Sequence, residues 1–184
     1  MIRKLLFAAI AALAACGQTN SETGVMSEIE RGEKADAQAA QQANAGNDAF
    51  LAQVRAQPGV QALPQGLLLE FRHRGANQSL PHPSANAAVL VHYEGRLANG
   101  SVFDSSIARH QPAQFPLTGV VPGFSAAIQQ MRPGDEVIAT FPPELGYGAE
   151  GQPPVIPANA VLQFRIILLA FQEPGGRPVR APQH

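Results

Sequence analysis

The chain has 184 residues, which suits one ordinary globular domain with shorter extensions and argues against two large domains. Apolar residues make up 45% and charged ones 15%, too greasy and too weakly charged for a wholly disordered chain, so a packed core is expected. Thirteen Lys and Arg against fourteen Asp and Glu leave a formal charge of −1, which offers no cationic surplus for a nucleic-acid partner, and the one cysteine, Cys16, can neither close an internal disulfide nor build a structural zinc site.

At the N-terminus, Arg3-Lys4 precede an unbroken apolar run at residues 5–15. The run falls well short of the roughly 20 residues a spanning helix needs, so residues 1–15 read as an export signal and not as a permanent membrane anchor. Its ending, Leu13-Ala14-Ala15-Cys16, resembles a bacterial lipoprotein box, in which the cysteine thiol takes a diacylglycerol and becomes the acylated N-terminus. Gly17 stands where an aspartate would retain such a protein at the inner membrane. The resemblance therefore implies lipidation of Cys16 and an outer-membrane lipoprotein facing the periplasm, with display on the cell surface left open. An ordinary signal peptide with an incidental cysteine is the plainer alternative.

Residues 16–46 are rich in Gln, Asn, Ala, Ser and Gly and poor in large apolar side chains, so a largely disordered lipidated tether is expected there, helical at most transiently around its alanines. The segment also lacks the apolar stripe of a long dimerising helix. Composition changes at Asn47, which can cap a short helix with Phe50, Leu51 and Val54 on one face and Pro58-Gly59 as its stop.

Strand signals follow. Residues 67–74 alternate Leu67, Leu69 and Phe71 with Leu68, Glu70 and Arg72, and residues 88–97 place Val89, Val91 and Tyr93 on one face. The loop between them, residues 75–85, carries Pro81 and Pro83 and has no evident role. Asn99-Gly100 supplies a tight hairpin into a strand starting at Val102 and Phe103, and residues 114–117 form another short strand beyond a loop with Arg109, His110 and Pro112. At Phe124, Ala127, Ile128 and Met131 the period becomes helical, until Pro133-Gly134 turns the chain. Residues 136–141 and 161–171 alternate again across a Gly- and Pro-rich loop, and residues 173–184 read as a disordered tail. The expected fold is α+β: an antiparallel sheet of about five strands wrapped over one short helix, with an extra N-terminal helix.

Four segments carry the functional signal: Val91-His92-Tyr93-Glu94-Gly95, Gly100-Ser101-Val102-Phe103-Asp104-Ser105-Ser106, Val120-Val121-Pro122-Gly123-Phe124 and Leu145-Gly146-Tyr147-Gly148. In order and spacing they resemble the FKBP-type peptidyl-prolyl isomerases, and residues 156–164 fit the same pattern. The resemblance covers about residues 47–171, and the lead-in at 47–50, 59–60 and 63–67 is similar to the exported macrophage infectivity potentiator branch. A domain over residues 47–172 is therefore expected.

That resemblance implies catalysis of X-Pro rotation, with no cofactor. It places Tyr93, Phe103, Val120, Val121, Phe124, Ile156 and Phe164 around the proline, with Phe124 as the floor. It makes Asp104 and Tyr147 the polar catalytic groups beside Tyr93 and has Arg109 hold Asp104 in place. Read from alternation and helical period alone, the apolar members are plain core, Asp104-Ser105-Ser106 closes a turn, and Tyr147 sits in a turn. Phe124 departs from the family's usual tryptophan, and Ala113 from an aromatic that overhangs the bound chain. Expected partners are proline-containing unfolded or extracytoplasmic polypeptides and macrolide inhibitors; a chaperone or surface binding module using the same pocket without turnover is the alternative. His73, His82, His92, His110 and His184 lack ligand spacing, and no metal is expected.

Overall fold

The computed structural model describes residues 21–182, so the expected export signal at residues 1–15 and Cys16 lie outside the described residues. Packing divides the chain into two units, Met1–Gln41 and Gln42–His184. Helix α1 runs Ser21–Arg55. The helix therefore does not start at an Asn47 cap, and residues expected to form an unstructured tether are helical. Local propensity explains the difference, because Ala, Gln, Glu and Lys are strong helix formers and need no apolar face to favour the helical backbone. Asn47 is an interior residue whose Nδ2 donates to the Asn159 carbonyl at 2.6 Å. The C-terminal end is as expected: Val54 is buried, and Gly59 at φ 83° lets the chain leave the helix. Among the described residues no helix is long and apolar enough to cross a membrane.

The second unit is built on an antiparallel sheet. Its five principal strands are β2 (Leu68–His73), β3 (Ala88–Leu97), β4 (Val102–Ser105), β6 (Glu136–Phe141) and β7 (Leu162–Gln172), and three short ones extend it: β1 (Val60–Ala62), β5 (Ala113–Pro116) and β8 (Val179–Arg180). The order is β1-β2-β6-β7-β3-β4, with β5 also on β3 and β8 on β7. The tail expected to lack order thus folds back: Val179 pairs with Phe171, Arg180 with Ala170, and the Ala181 N–H donates to the Leu169 carbonyl at 3.1 Å. Free backbone groups along β7 supply the partners that composition could not reveal.

One face of the sheet covers α2 (Pro122–Ile128), which ends earlier than its apolar spacing suggests, although Met131 beyond it is still fully buried. Pro122 opens the helix at its first turn, where its missing N–H costs nothing. Phe124, Ala127 and Ile128 pack with Val89, Val91, Val137, Ile166 and Leu168 in one core. Gly123 is required at the contact, since a Cβ there would run into the Phe141 ring.

The loop at residues 75–85 is tied down by Asp135, whose carboxylate is fully buried. It accepts from the Gly75 N–H at 2.7 Å, the Arg132 N–H at 2.9 Å and Gln78 Nε2 at 3.1 Å, with Arg74 Nη1 3.7 Å away. Each oxygen of a buried carboxylate must be matched in this way, and the match joins the start of the loop to the turn before β6.

Candidate active site

A cavity of about 270 Å³ opens between the sheet and α2, lined by Tyr93, Phe103, Asp104, Phe115, Gly119, Val120, Val121, Phe124, Tyr147 and Phe164. Phe124 closes its inner end: it is 4% exposed and meets Tyr93, Phe115 and Phe164 edge-on at centroid distances of 6.0, 6.3 and 5.1 Å. Such edge-to-face contacts set the positive rim of one ring against the negative face of the next, which fixes ring orientation as well as burying area. Phe103 stands edge-on to Phe164 at 5.4 Å.

Two features of the β3–β4 pair place polar and apolar groups together. Gly95 pairs with Asp104 and Arg96 with Val102, leaving Phe103 as the extra residue of a bulge. Successive strand residues normally face opposite ways, but a bulge re-aims one of them, and both Phe103 and Asp104 line the cavity. Gly95 makes room, because a Cβ there would press on the Phe103 ring and lie 2.8 Å from the ring of Phe164.

The polar rim is one connected cluster. The Tyr93 hydroxyl donates to Asp104 Oδ2. Arg109 Nη1 donates to Asp104 Oδ1 at 2.5 Å, and its Nη2 donates to the Tyr93 hydroxyl oxygen at 3.1 Å. Burial works against the charge on Asp104, yet the hydrogen bonds from Arg109 and Tyr93, with a smaller one from the Ser105 backbone, hold its carboxyl below its ordinary 3.8. Burial, then the bond to Asp104, pushes the Tyr93 hydroxyl above its ordinary 10.0. Asp104 and Arg109 are 40% and 52% exposed, so their ion pair orients the carboxylate more than it stabilises the fold. The local turn is closed by the neighbouring serine instead, Ser105 Oγ accepting from the Ala108 N–H at 3.0 Å.

The structure thus brings Tyr93, Phe103, Asp104, Val120, Val121, Phe124, Tyr147 and Phe164 to one cavity, with Arg109 bonded at its rim. Ile156 lies apart from these: it is 2% exposed and lines an adjoining cavity that shares Phe103, Asp104 and Tyr147. Ala113 is not among the lining residues. Phe115 and Gly119 also line the cavity, outside the residues that the family resemblance places around the proline. An aromatic in a short alternating strand beside the pocket segments was the available signal for Phe115. A larger cleft of about 350 Å³ includes Glu70, Arg72, Glu94, Arg96 and Arg165 in its lining. Its arginines are taken up by glutamates, Arg72 by Glu70, Arg96 by Glu94 and Arg165 by Glu136, and it presents no aromatic enclosure.

An antiparallel sheet over one short helix, with an aromatic cavity between them and an Asp–Arg–Tyr cluster at its rim, defines the class, and residues 81–169 match the family described as FKBP-type peptidyl-prolyl cis-trans isomerase. The chain belongs to that family. It is similar to FK506-binding protein 1A of Aspergillus fumigatus, with 45% identity over 108 residues covering 58% of this chain and 95% of the relative. It is also similar to the peptidyl-prolyl cis-trans isomerase Mip of Coxiella burnetii, 43% identical over 125 residues covering 68% of this chain and 53% of that protein, so the chain spans about half the length of this bacterial relative. Among solved structures, a peptidyl-prolyl cis-trans isomerase of Pseudomonas syringae pv. tomato superposes with a TM-score of 0.65 at 36% identity, over 71% of this chain and 94% of the other.

Proposed function

We propose that the chain is a peptidyl-prolyl cis-trans isomerase that acts on X-Pro bonds of exported polypeptides. The observation that carries the reading is the cavity itself: six aromatic side chains line it, and its polar side-chain groups are confined to the Asp104 carboxylate and the hydroxyls of Tyr93 and Tyr147. Rotation about an X-Pro amide is slow because resonance imposes a barrier of roughly 18–20 kcal/mol, and no covalent chemistry is needed to lower it. Resonance puts more charge on the planar amide than on the twisted one, so a dry, apolar enclosure favours the twisted state.

In this reading Phe124 is the floor beneath the pyrrolidine ring, and Phe103, Phe115, Val120, Val121 and Phe164 are its walls. Ile156 supports the neighbouring part of the substrate chain. Asp104, held as a carboxylate by Tyr93 and Arg109, orients the twisting amide. Tyr147, partly exposed at the mouth and flanked by Gly146 and Gly148, donates to a substrate carbonyl. The pocket also suits macrolides of the kind implied by the name of the Aspergillus relative. Measuring cis–trans exchange of proline peptides with the full chain tests the reading; no acceleration over the uncatalysed rate rejects it.

The N-terminal motif supports anchoring through an acylated Cys16 to the outer membrane, with the domain facing the periplasm. Replacing Cys16 with Ala should release the protein from membranes or leave an uncleaved precursor, as read by detergent partitioning. A processed, membrane-bound variant rejects lipidation and leaves the isomerase reading intact.

A further inference from the structure

The Tyr93–Asp104–Arg109 cluster sits where a β-ladder ends, and a ladder end leaves backbone groups in need of partners. β4 stops at Ser105, opposite Glu94, and the chain then turns away. The Ser106 N–H still donates to the Tyr93 carbonyl at 2.9 Å, but the Ser106 carbonyl accepts from the Gln111 N–H at 3.2 Å. In a continued ladder that carbonyl would have served the Tyr93 N–H.

The Ser106 side chain takes over the missing bond. Its Oγ accepts from the Tyr93 N–H at 2.8 Å and donates to the Tyr93 carbonyl at 3.3 Å, and the residue is fully buried. Both backbone groups of Tyr93 are therefore gripped by one hydroxyl from the segment just beyond β4, while Ser105 closes the turn that carries Arg109.

We propose that Ser106 is a positioning residue for the isomerase site, its hydroxyl holding Tyr93 at the depth where the phenol meets Asp104 and Arg109. The inference rests on the isomerase reading above, since positioning matters to turnover only if the pocket turns over. Hydrogen-bond strength falls steeply with distance and angle, so a small backbone shift at Tyr93 weakens both contacts of its hydroxyl.

The chain has two tyrosines and no tryptophan, which makes Tyr93 directly visible. In a Tyr147→Phe background, ultraviolet absorbance titration follows Tyr93 alone, with Ser106 intact and with Ser106→Ala or Ser106→Cys. The cysteine variant keeps the volume while offering a poorer acceptor, and it decides the matter if the alanine variant does not fold. Expected are a Tyr93 titration that moves down toward 10.0 in the Ser106 variants, and, with Tyr147 restored, a kcat/KM lowered by about three- to tenfold. Adding the same Ser106 change to Tyr93→Phe should cost no further activity, because the route through the hydroxyl is already cut. An unchanged Tyr93 titration in folded variants, or losses that multiply in the double variant, overturns the proposal. If the wild-type chain has no isomerase activity, the functional reading falls, and the titration still decides whether Ser106 positions Tyr93.

Discussion

The Tyr93 hydroxyl donates to Asp104, which pairs with Gly95 two residues further along β3, and the β-bulge at Phe103 begins immediately beyond that pair. The same bulge puts an aromatic ring and a carboxylate, adjacent in sequence, on the same side of the strand. Apolar enclosure and polar orientation are both needed for amide rotation, and a single extra residue brings them together.

Asp104→Ala should lower kcat/KM about tenfold, or about 1.4 kcal/mol of transition-state stabilisation, with little change in melting temperature. The side chain is 40% exposed and contributes orientation more than packing. A folded variant with wild-type kcat/KM would remove Asp104 from the mechanism.

Phe124 belongs to both core and cavity, so truncation to alanine would cost roughly 3–5 kcal/mol of a total stability of order 5–15. Phe124→Leu is the better probe. It should keep the fold while lowering turnover and weakening macrolide binding together. A wild-type chain that binds neither macrolide nor proline peptide, yet suppresses aggregation of an unfolded protein as well as Phe124→Leu does, would instead establish the chaperone module.

Gly95→Ala should lower both stability and activity, by roughly 1–3 kcal/mol in the former, because the new methyl meets the rings of Phe103 and Phe164. Thermal unfolding by circular dichroism measures it. A variant as stable as wild type would mean that the two rings move aside freely.

Asp135→Ala should be far more damaging to stability than Asp104→Ala, by roughly 2–5 kcal/mol, since it strands the Gly75 and Arg132 N–H groups. Activity per folded molecule should survive at low temperature, because Asp135 lies outside the cavity lining. Comparable melting temperatures for the two variants would contradict this account.

The pH dependence follows from Asp104 and Tyr93. Hydrogen bonds lower the Asp104 value despite burial, so its stabilising contribution is present above its ordinary 3.8 and lost as pH falls through the lower folded value. Tyr93 is raised, so its contribution is present below 10.0 and lost as pH rises through the higher folded value. Among the described residues no histidine lines the cavity, although His92 Nδ1 lies 3.4 Å from Ser106 Oγ behind it. Between about pH 5 and 9, kcat/KM at constant ionic strength should therefore be flat, and an inflection near neutrality would point to a group outside the cavity lining.

Much of the domain follows from local pattern. The alternation at Val89, Val91 and Tyr93 marks the buried face of β3, the bounds of β3 and β6 coincide with the alternating runs, and Gly100 at φ 84° makes the hairpin that Asn99-Gly100 demands. Phe124, Ala127, Ile128 and Met131 are buried as their spacing requires. These features depend on neighbours a few residues apart, and side-chain period and turn chemistry act over that range. The ordered motifs around Tyr93, Asp104, Phe124 and Tyr147 single out residues that the fold brings to one cavity.

What local pattern could not decide depends on partners far along the chain. The bulge at Phe103 exists only against β3, β8 exists because β7 leaves backbone groups to pair, and Asp135 is satisfied by a loop some 60 residues away. Phe115 becomes a wall of the cavity because β5 shares β3 with β4. Ser106, one polar residue in a turn-forming triplet, becomes the substitute for a lost ladder bond only where the strand happens to end. Backbone hydrogen bonding must be completed by whatever the fold brings near, and that requirement, invisible in any short window of sequence, decided the geometry of the site.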